Sequence, residues 1–373
     1  MLNGAKVAVV IVGFHNPTDV EGCLTALARA QSGPPFAVLI CENGGSPAFD
    51  ELVSALSAPN GPCEGQVEPL SPAIGEFVRA CRLRLGADGP LIFVGEAREN
   101  LGYAGAINTW LRVLQDIPDW EGVWVLNPDT KPESNALAEL VAYSRKSGKG
   151  MIGGRIIPMD QPDVEHSRGL HWRPWWASVE AVDFHTSAYI EPNIAAVEAR
   201  IDAPSGACMY ITRRCLDRIG LMDERYFLYY EDIEWGMRAN RACGVGYAWR
   251  AVIYHRGGST IGTASSRSAR SPLSVYLEFR NRLLFVHEHH KKWYPWTVFA
   301  LAVRALEYGA VWRLANLKAA YLGLVAGLAG EIGRPDHFMS AASPYQAPSR
   351  VTLPKVATVK RLIKITISII SSK

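Results

Sequence analysis

Residues 6–13 form the feature that most constrains the fold, because they read Lys-Val-Ala-Val-Val-Ile-Val-Gly, an almost unbroken β-branched run. Such a run is typical of a strand that is buried on both faces of a sheet. Similar apolar runs predict three further strands, at residues 36–41, 91–94 and 122–126. Helical patterns separate them, at residues 49–56, 74–85 and 105–115, and Thr18 or Asp19 is expected to cap an earlier helix. Strands that alternate with helices predict an α/β fold around a mostly parallel sheet.

Polar residues follow three of these strands. Residues 14–16 come after the first strand, Glu42 ends the second, and residues 127–129 come after the fourth. In α/β sheets the ligand lies beyond the carboxyl ends of the strands. We therefore expect these residues to meet on one rim of the sheet.

A cluster of acids among aromatic residues follows at residues 226–238, which read Tyr-Phe-Leu-Tyr-Tyr-Glu-Asp-Ile-Glu-Trp-Gly-Met-Arg. An ionised carboxylate is rarely buried unless it is paired or solvated, and an aromatic wall can tune its basicity for proton transfer. A general base at Asp232 is therefore our hypothesis. The alternative is a structural cluster of ion pairs with Arg225 and Arg238. Arg238 lies too many residues after Asp232 for the two side chains to pair on one face of a helix. Arg238 is also a candidate contact for a phosphate.

Two further residues have side chains that suit a divalent cation. Asp129 can supply one oxygen ligand while substrate phosphates supply others, and His255 can supply an imidazole. The alternatives are an Asn-Pro turn with a helix-capping Asp129, and a structural histidine. Residues 100–108 (Asn-Leu-Gly-Tyr-Ala-Gly-Ala-Ile-Asn) enter a helix with glycines, which favours either close approach to a phosphate or sugar, or a plain turn.

These segments in their order resemble the family 2 glycosyltransferases, particularly the branch that contains bacterial rhamnosyltransferases. The matching motifs cover most of residues 6–260, and the ordered set is specific although each motif is weak alone. The resemblance implies a GT-A fold and an inverting, metal-dependent transfer of rhamnose or another hexose. The donor would be a nucleotide-diphosphate sugar, and the acceptor a glycan or a lipid-linked molecule of bacterial surface polysaccharide synthesis.

The same resemblance implies roles for individual residues. Asp232 corresponds to the catalytic base, and Asp129 with His255 corresponds to the site of Mn²⁺ or Mg²⁺. Glu42 stands where the family reads the nucleotide base with an aspartate, and Asn127 replaces the first acid of the family's Asp-x-Asp motif. The donor-binding set implied in this way comprises Phe14, Asn16, Glu42, Asn100, Gly102, Asn108, Asn127 and Arg238.

The chain is expected to have three parts: a catalytic domain at residues 1–265, a helical region at 266–340 and a basic amphipathic tail at 341–373. Residues 291–303 begin with two lysines and contain Trp293, Tyr294, Trp296 and Phe299. This segment is too short to span a bilayer, and its aromatic belt with a basic flank is typical of an interfacial helix. The alternative is a helix pair packed against the catalytic domain or against the partner in a homodimer.

Charge and cysteines restrict the remaining choices. A formal net charge of +3 is too small to indicate nucleic-acid binding, and the seven scattered cysteines contain no Cys-x-x-Cys pair, which favours reduced thiols. We therefore expect a cytoplasmic protein, in peripheral contact with the inner face of the cytoplasmic membrane. A non-catalytic nucleotide-sugar-binding or scaffold protein is the competing function. A nucleotidyltransferase would need a basic, glycine-rich loop after the first strand, and residues 13–17 do not form one.

Overall fold

The computed structural model describes residues 4–71, 74–257 and 270–336. The chain divides into two compact units. The first comprises Met1–Arg173 and Ser178–Ala269, and the second comprises Pro174–Ala177 and Arg270–Lys373. The expected boundary at residues 265–266 and the tail at 341–373 lie outside the described residues, so the three-part division stays a prediction.

The first unit alternates strands and helices along most of its length. Its described strands are β1 (Val7–Gly13), β2 (Phe36–Glu42), β3 (Cys63–Pro69), β4 (Arg79–Leu85), β5 (Leu91–Glu96), β6 (Gly122–Leu126), β7 (Thr130–Pro132), β8 (Met151–Pro158), β9 (Val164–Glu165), β10 (Leu170–Arg173), β11 (Ser178–Ala181), β12 (Thr186–Ser187), β13 (Cys208–Thr212) and β14 (Val245–His255). Its described helices are α1 (Pro17–Leu27), α2 (Ser46–Leu56), α3 (Gly102–Gln115), α4 (Ala136–Ser147), α5 (Ile194–Glu198), α6 (Arg213–Ile219) and α7 (Glu231–Cys243).

One large sheet organises this unit, in the order β3-β4-β5-β2-β1-β6-β13-β8-β14-β7. Strands β5, β2, β1 and β6 are parallel to one another. Strand β13 is antiparallel to both β6 and β8, and β14 is parallel to β8, so β8 and β14 point the same way as β6. The C-terminal ends of β1, β2, β6 and β14 therefore share one edge, which we call the carboxyl edge. The predicted α/β class with a mostly parallel sheet is confirmed.

Strand β1 shows why its sequence is continuously apolar. Val9 and Ile11 pack on one face of the sheet with Leu24 of α1, whereas Val10 packs on the other face with Trp110 of α3. Both faces of β1 are buried, so no position along it favours a polar side chain.

The helix expected at residues 74–85 is wrong, because β4 occupies most of this segment and pairs antiparallel with β3 and β5. Buried Cys81 and Leu83 alternate with the more exposed Arg82, which pairs with Glu68 of β3. This is the period of two of a strand with one buried face, and the arginines concealed it from a search for long apolar runs.

The expected cap of α1 is also corrected. The helix begins at Pro17, after Asn16, so Thr18 and Asp19 lie inside its first turn. Proline suits a first helical position because its missing N–H would have no partner there. Asp19 in the first turn interacts favourably with the positive end of the helix.

The second unit is mainly helical over its described residues, in agreement with the helical region expected at 266–340. Its described helices are α8 (Pro272–His289), α9 (Tyr294–Ala310) and α10 (Leu314–Leu328). Helix α8 packs against both α9 and α10. Over the residues that the structure describes, no helix combines the length and the hydropathy that crossing a bilayer requires.

Candidate active site

The turn after β6 brings Asn127 and Asp129 to the carboxyl edge. Strand β7 starts immediately after this turn and pairs antiparallel with the end of β14, so that Thr130 lies opposite His255. This register places Nε2 of His255 at 3.1 Å from Oδ1 of Asp129. The two residues expected to bind a metal are therefore neighbours.

Asp129 does not cap a helix. Strand β7 follows it directly, and α4 begins only at Ala136, after Asn135. The alternative interpretation of Asp129 as a helix cap is therefore wrong.

The electrostatics of Asp129 favour its ionised form. Burial alone would raise the pKa of this carboxyl, but the hydrogen bond and charge of His255, a backbone hydrogen bond and the charge of Arg256 together bring the pKa below its usual value. An ionised carboxylate beside an imidazole suits a divalent cation. In the described parts of the chain no three or more His, Cys, Asp or Glu side chains converge as a metal site, so Asp129 and His255 would need ligands from the substrate.

Glu42 ends β2 with only 1% of its surface exposed. Its Oε1 atom accepts hydrogen bonds from the backbone N–H groups of Gly44, at 2.9 Å, and His15, at 3.4 Å. Burial raises the pKa of Glu42, although both N–H groups act in the opposite direction. The carboxylate thus organises the loop after β1, and its contact with a nucleotide base stays a prediction.

Asn16 shapes the same loop from the other side. Its Oδ1 atom accepts a hydrogen bond from the backbone N–H of Phe14 at 2.8 Å. The ring of Phe14 packs edge-on against the ring of His15, with 4.8 Å between centroids. Phe14 and Asn16 are half-buried at the carboxyl edge, and their contacts with the donor stay predictions.

Asn43 connects the start of α3 to the end of β2. Its Oδ1 atom accepts from the N–H of Leu101, and its Nδ2 atom donates to Asn100 Oδ1 and to the carbonyl of Gly102. Gly102 has a φ of +71°, and a Cβ there would lie 2.1 Å from the carbonyl oxygen of Phe227. The close approach expected at this glycine is made to the protein's own backbone, and ligand contacts of Asn100 and Gly102 stay predictions.

Two members of the predicted donor-binding set, Asn108 and Arg238, make hydrogen bonds within the fold. The buried amide of Asn108 accepts from the N–H of Met222 at 3.0 Å and donates to its carbonyl at 2.8 Å. The guanidinium of Arg238 donates to the Glu234 carboxylate at 2.8 Å and to the carbonyl of Leu221 at 2.9 Å. These contacts use polar atoms of both side chains, and donor contacts of Asn108 and Arg238 stay predictions.

The backbone before α7 adopts a conformation that bulky residues rarely take. Phe227, Tyr229 and Tyr230 have φ values of 64°, 70° and 76°. Each left-handed residue of this kind costs on the order of 1–2 kcal/mol, so the surrounding structure must impose it. One restraint is the N–H of Tyr103, which donates to the carbonyl of Phe227 at 2.8 Å. This turn decides where α7 begins and puts Asp232 in its first turn, near the positive end of the helix.

Asp232 is half-buried and accepts a hydrogen bond from the backbone N–H of Ile233 at 2.8 Å, and the nearby backbone N–H of Gly206 also lowers its pKa. Burial nevertheless raises its pKa above the ordinary value. Burial, and then the charge of Asp232, raise the pKa of Glu231 well above its usual range. A partly accessible carboxylate with a raised pKa is suited to accept a proton.

The alternative of a structural ion-pair cluster applies to the neighbours of Asp232. Glu234 pairs with Arg238, and Arg225 pairs with Asp223. Asp232 makes no ion pair with any residue in the described ranges. It is therefore the acid of this segment that stays available to a substrate.

Tyr103 joins the two halves of the site, and we did not single it out from the sequence. Its hydroxyl oxygen lies 2.9 Å from Asn127 Oδ1 and 2.9 Å from the carbonyl oxygen of Gly206. The backbone N–H of Gly206 in turn lies beside Asp232 and lowers the pKa of its carboxyl. The available signal was the position of Tyr103 directly after Gly102, where the start of α3 meets the carboxyl edge.

Known proteins resemble this chain in the region of the site. The family described as "Glycosyltransferase like family 2" matches residues 90–272. A low-salt glycan biosynthesis hexosyltransferase from Haloferax volcanii is 28% identical over 189 residues, which are 50% of this chain and 57% of that relative. An N-acetylglucosaminyl-diphospho-decaprenol L-rhamnosyltransferase from Mycobacterium tuberculosis is 27% identical over 283 residues, which are 69% of this chain and 84% of that relative.

A solved structure is similar at a lower level. The mannosyltransferase from Pyrobaculum calidifontis in complex with GDP-Man and Mn²⁺ is 14% identical, covers 87% of this chain and 88% of its own, and has a TM-score of 0.46. The family match spans the site, because residues 90–272 contain Asn127, Asp129, Asp232 and His255.

Proposed function

Since this chain is a family 2 glycosyltransferase, an enzyme that transfers a sugar from a nucleotide sugar to an acceptor, we propose that it moves a rhamnosyl or other hexosyl group with inversion of the anomeric carbon. The observation that carries this proposal is one connected edge of the sheet. Asp232, with its raised pKa, is linked through Gly206 and Tyr103 to the turn that bears Asp129.

Asp232 is the general base in this proposal. Its carboxylate takes the proton of an acceptor hydroxyl while the oxygen of that hydroxyl forms a bond to the anomeric carbon. The bond from this carbon to the diphosphate oxygen breaks in the same displacement, and its electron pair leaves with the nucleoside diphosphate. A single displacement inverts the configuration. The raised pKa makes Asp232 a stronger base than an ordinary exposed aspartate.

Asp129 and His255 fit a divalent cation in chemistry and in spacing. Adjacent ligands of an octahedral ion at about 2.1 Å lie about 3.0 Å apart, and the two atoms here are separated by 3.1 Å. Carboxylate oxygen suits both Mg²⁺ and Mn²⁺, and imidazole favours Mn²⁺ of the two. Such an ion would neutralise charge on the leaving diphosphate.

The second unit supports a lipid-linked acceptor. One face of α9 exposes an apolar stripe at helical spacing, formed by Trp296, Phe299, Val303 and Leu306, with exposed fractions of 37%, 44%, 47% and 69%. Exposed Lys291 and Lys292 precede the stripe. An outward apolar face with aromatic residues and a basic flank is typical of a helix at a membrane surface. We propose peripheral contact with an anionic leaflet that carries the acceptor, and a homodimer that covers the stripe is the alternative.

The competing function is a non-catalytic nucleotide-sugar-binding protein. It predicts donor binding without turnover and no special role for Asp232. To decide, the full chain is incubated with UDP, dTDP and GDP sugars, each with Mn²⁺ or Mg²⁺, and release of nucleoside diphosphate is measured. We expect release from one nucleotide class. Binding of a donor with no release from any of them would favour the non-catalytic protein.

The base is tested with Asp232→Asn. This change should lower transfer by ~10²- to 10⁴-fold and leave donor affinity nearly unchanged, because a general base acts on the acceptor. Asp116→Asn is the matched control, since Asp116 is exposed at the end of α3. Transfer within a few-fold of the wild-type rate would rule out Asp232 as the base.

A further inference from the structure

The Tyr103 hydroxyl has two neighbours but only one proton. Its oxygen lies 2.9 Å from Gly206 O and 2.9 Å from Asn127 Oδ1. A hydroxyl donates one hydrogen bond and can also accept, whereas a backbone carbonyl only accepts. The Tyr103 proton must therefore go to Gly206 if that contact is a hydrogen bond, and the second neighbour must then be a donor.

The Asn127 side chain can meet this requirement by a half-turn of its amide. The oxygen and nitrogen of an asparagine amide are distinguished by the hydrogen bonds they make. The backbone of Asn127 is held on both sides, because its N–H donates to Ala207 O at 3.1 Å and its carbonyl accepts from Thr130 Oγ1 at 2.7 Å. With Nδ2 turned toward Tyr103, all three groups have compatible roles. No other hydrogen bond of the Asn127 side chain to a described residue opposes the turn.

We propose that Tyr103 is a positioning residue whose hydroxyl accepts a hydrogen bond from Asn127 Nδ2 and donates to Gly206 O. The chain of contacts runs from the turn of Asp129 to Gly206, the residue whose backbone N–H lies beside Asp232. It explains why asparagine stands at position 127. A carboxylate at position 127 has no proton to donate. It would either face the lone pairs of the Tyr103 hydroxyl or accept the Tyr103 proton in place of Gly206 O. The catalytic part of this inference rests on the proposed function.

A double-mutant cycle tests the hydrogen bond without any need for activity. The free energy of unfolding in urea is measured for the wild type, Asn127→Asp, Tyr103→Phe and the double variant. Asn127→Asp should destabilise the wild type, and most of that loss should vanish in the Tyr103→Phe background, because the phenyl ring has no lone pairs to oppose the carboxylate. Repulsion between the new carboxylate and Asp129 is common to both backgrounds and cancels in the cycle. Additive effects, or Asn127→Asp as stable as wild type, would overturn the inference.

Kinetics test the positioning role separately. Tyr103→Phe should lower kcat about fivefold, the effect of one lost neutral hydrogen bond, and change the donor KM less than twofold, because Tyr103 holds Gly206, the residue beside Asp232. The control is Tyr143→Phe, whose hydroxyl bonds Glu198 at 2.8 Å in the same unit, and it should change neither constant. An unchanged kcat in Tyr103→Phe would overturn the positioning role. If the wild type shows no turnover, the proposed function fails, and the stability cycle still decides the hydrogen bond.

Discussion

His255 Nε2 lies 3.1 Å from Asp129 Oδ1, although 126 residues separate the two in the sequence. Antiparallel pairing of β7 with the end of β14 creates this contact, because it puts His255 opposite Thr130. The short strand β7 is therefore what assembles the pair.

Asp129→Ala should abolish the metal-dependent part of nucleoside diphosphate binding, and His255→Ala should weaken it less. The reason is that the carboxylate contributes charge, whereas imidazole binds a metal as a neutral ligand. Calorimetric titration with and without Mn²⁺ measures both effects, with Asp116→Ala as the control. Equal affinity in the wild type and Asp129→Ala would mean that Asp129 only holds His255.

Asp232→Asn should stabilise the fold at pH 8 while it removes activity. Burial raises the folded-state pKa of Asp232, so the folded state binds this proton more tightly than the unfolded chain. The resulting destabilisation is absent below the unfolded pKa of about 3.9 and reaches its full size as the pH rises through the folded pKa. Asparagine cannot ionise, so the Asp232→Asn variant avoids this destabilisation.

Urea unfolding across pH 4–8 measures this effect. The variant should gain stability over the wild type with rising pH and lose that gain toward pH 4. A variant less stable than the wild type at pH 8 would show that hydrogen bonds from Gly206 and Ile233 outweigh the cost of burying the charge.

Gly102→Ala should destabilise the first unit more than Gly148→Ala. Both glycines are left-handed, with φ of +71° and +70°, so both alanines pay about 1–2 kcal/mol for the conformation. At Gly148 a Cβ meets nothing within 4 Å, whereas at Gly102 it would lie 2.1 Å from Phe227 O. Denaturant unfolding of the two variants isolates the clash. Similar losses would show that the turn before α7 yields easily.

Replacing Trp296 and Phe299 by serine should reduce binding of the full chain to anionic liposomes. Apolar insertion by these residues should persist at high salt, while the basic contribution, roughly 1 kcal/mol per residue, should be screened. Truncation after residue 350 removes most of the expected basic tail, so it should reduce binding mainly at low salt. Ile190→Ser is the control, because Ile190 is 68% exposed in the first unit. No flotation of the wild type in liposome assays would remove the support for a lipid-linked acceptor.

Long, regular patterns were predictable from the sequence. The run in β1 required burial on both faces, and the polar residues after β1, β2 and β6 had to share an edge once the sheet was parallel. Strand β4 was missed because a half-buried strand with three arginines has no apolar run to find. The internal partners of Asn108 and Arg238 were not predictable, because a polar side chain in a motif does not reveal which residue it bonds.

The sequence by itself determined the α/β class, the alternation of strands and helices, and the candidate acids Asp129 and Asp232. These follow from local patterns, whose periods depend only on neighbouring residues. The tertiary structure alone decided that His255 meets Asp129, that Arg238 belongs to Glu234, and that Tyr103 connects Asn127 with Gly206. Some of these contacts join segments that lie about 25 to 125 residues apart in the sequence, and others depend on which of several possible partners a side chain binds. Both are determined by the register of the sheet and by the turn before α7. No local pattern in the chain encodes that register.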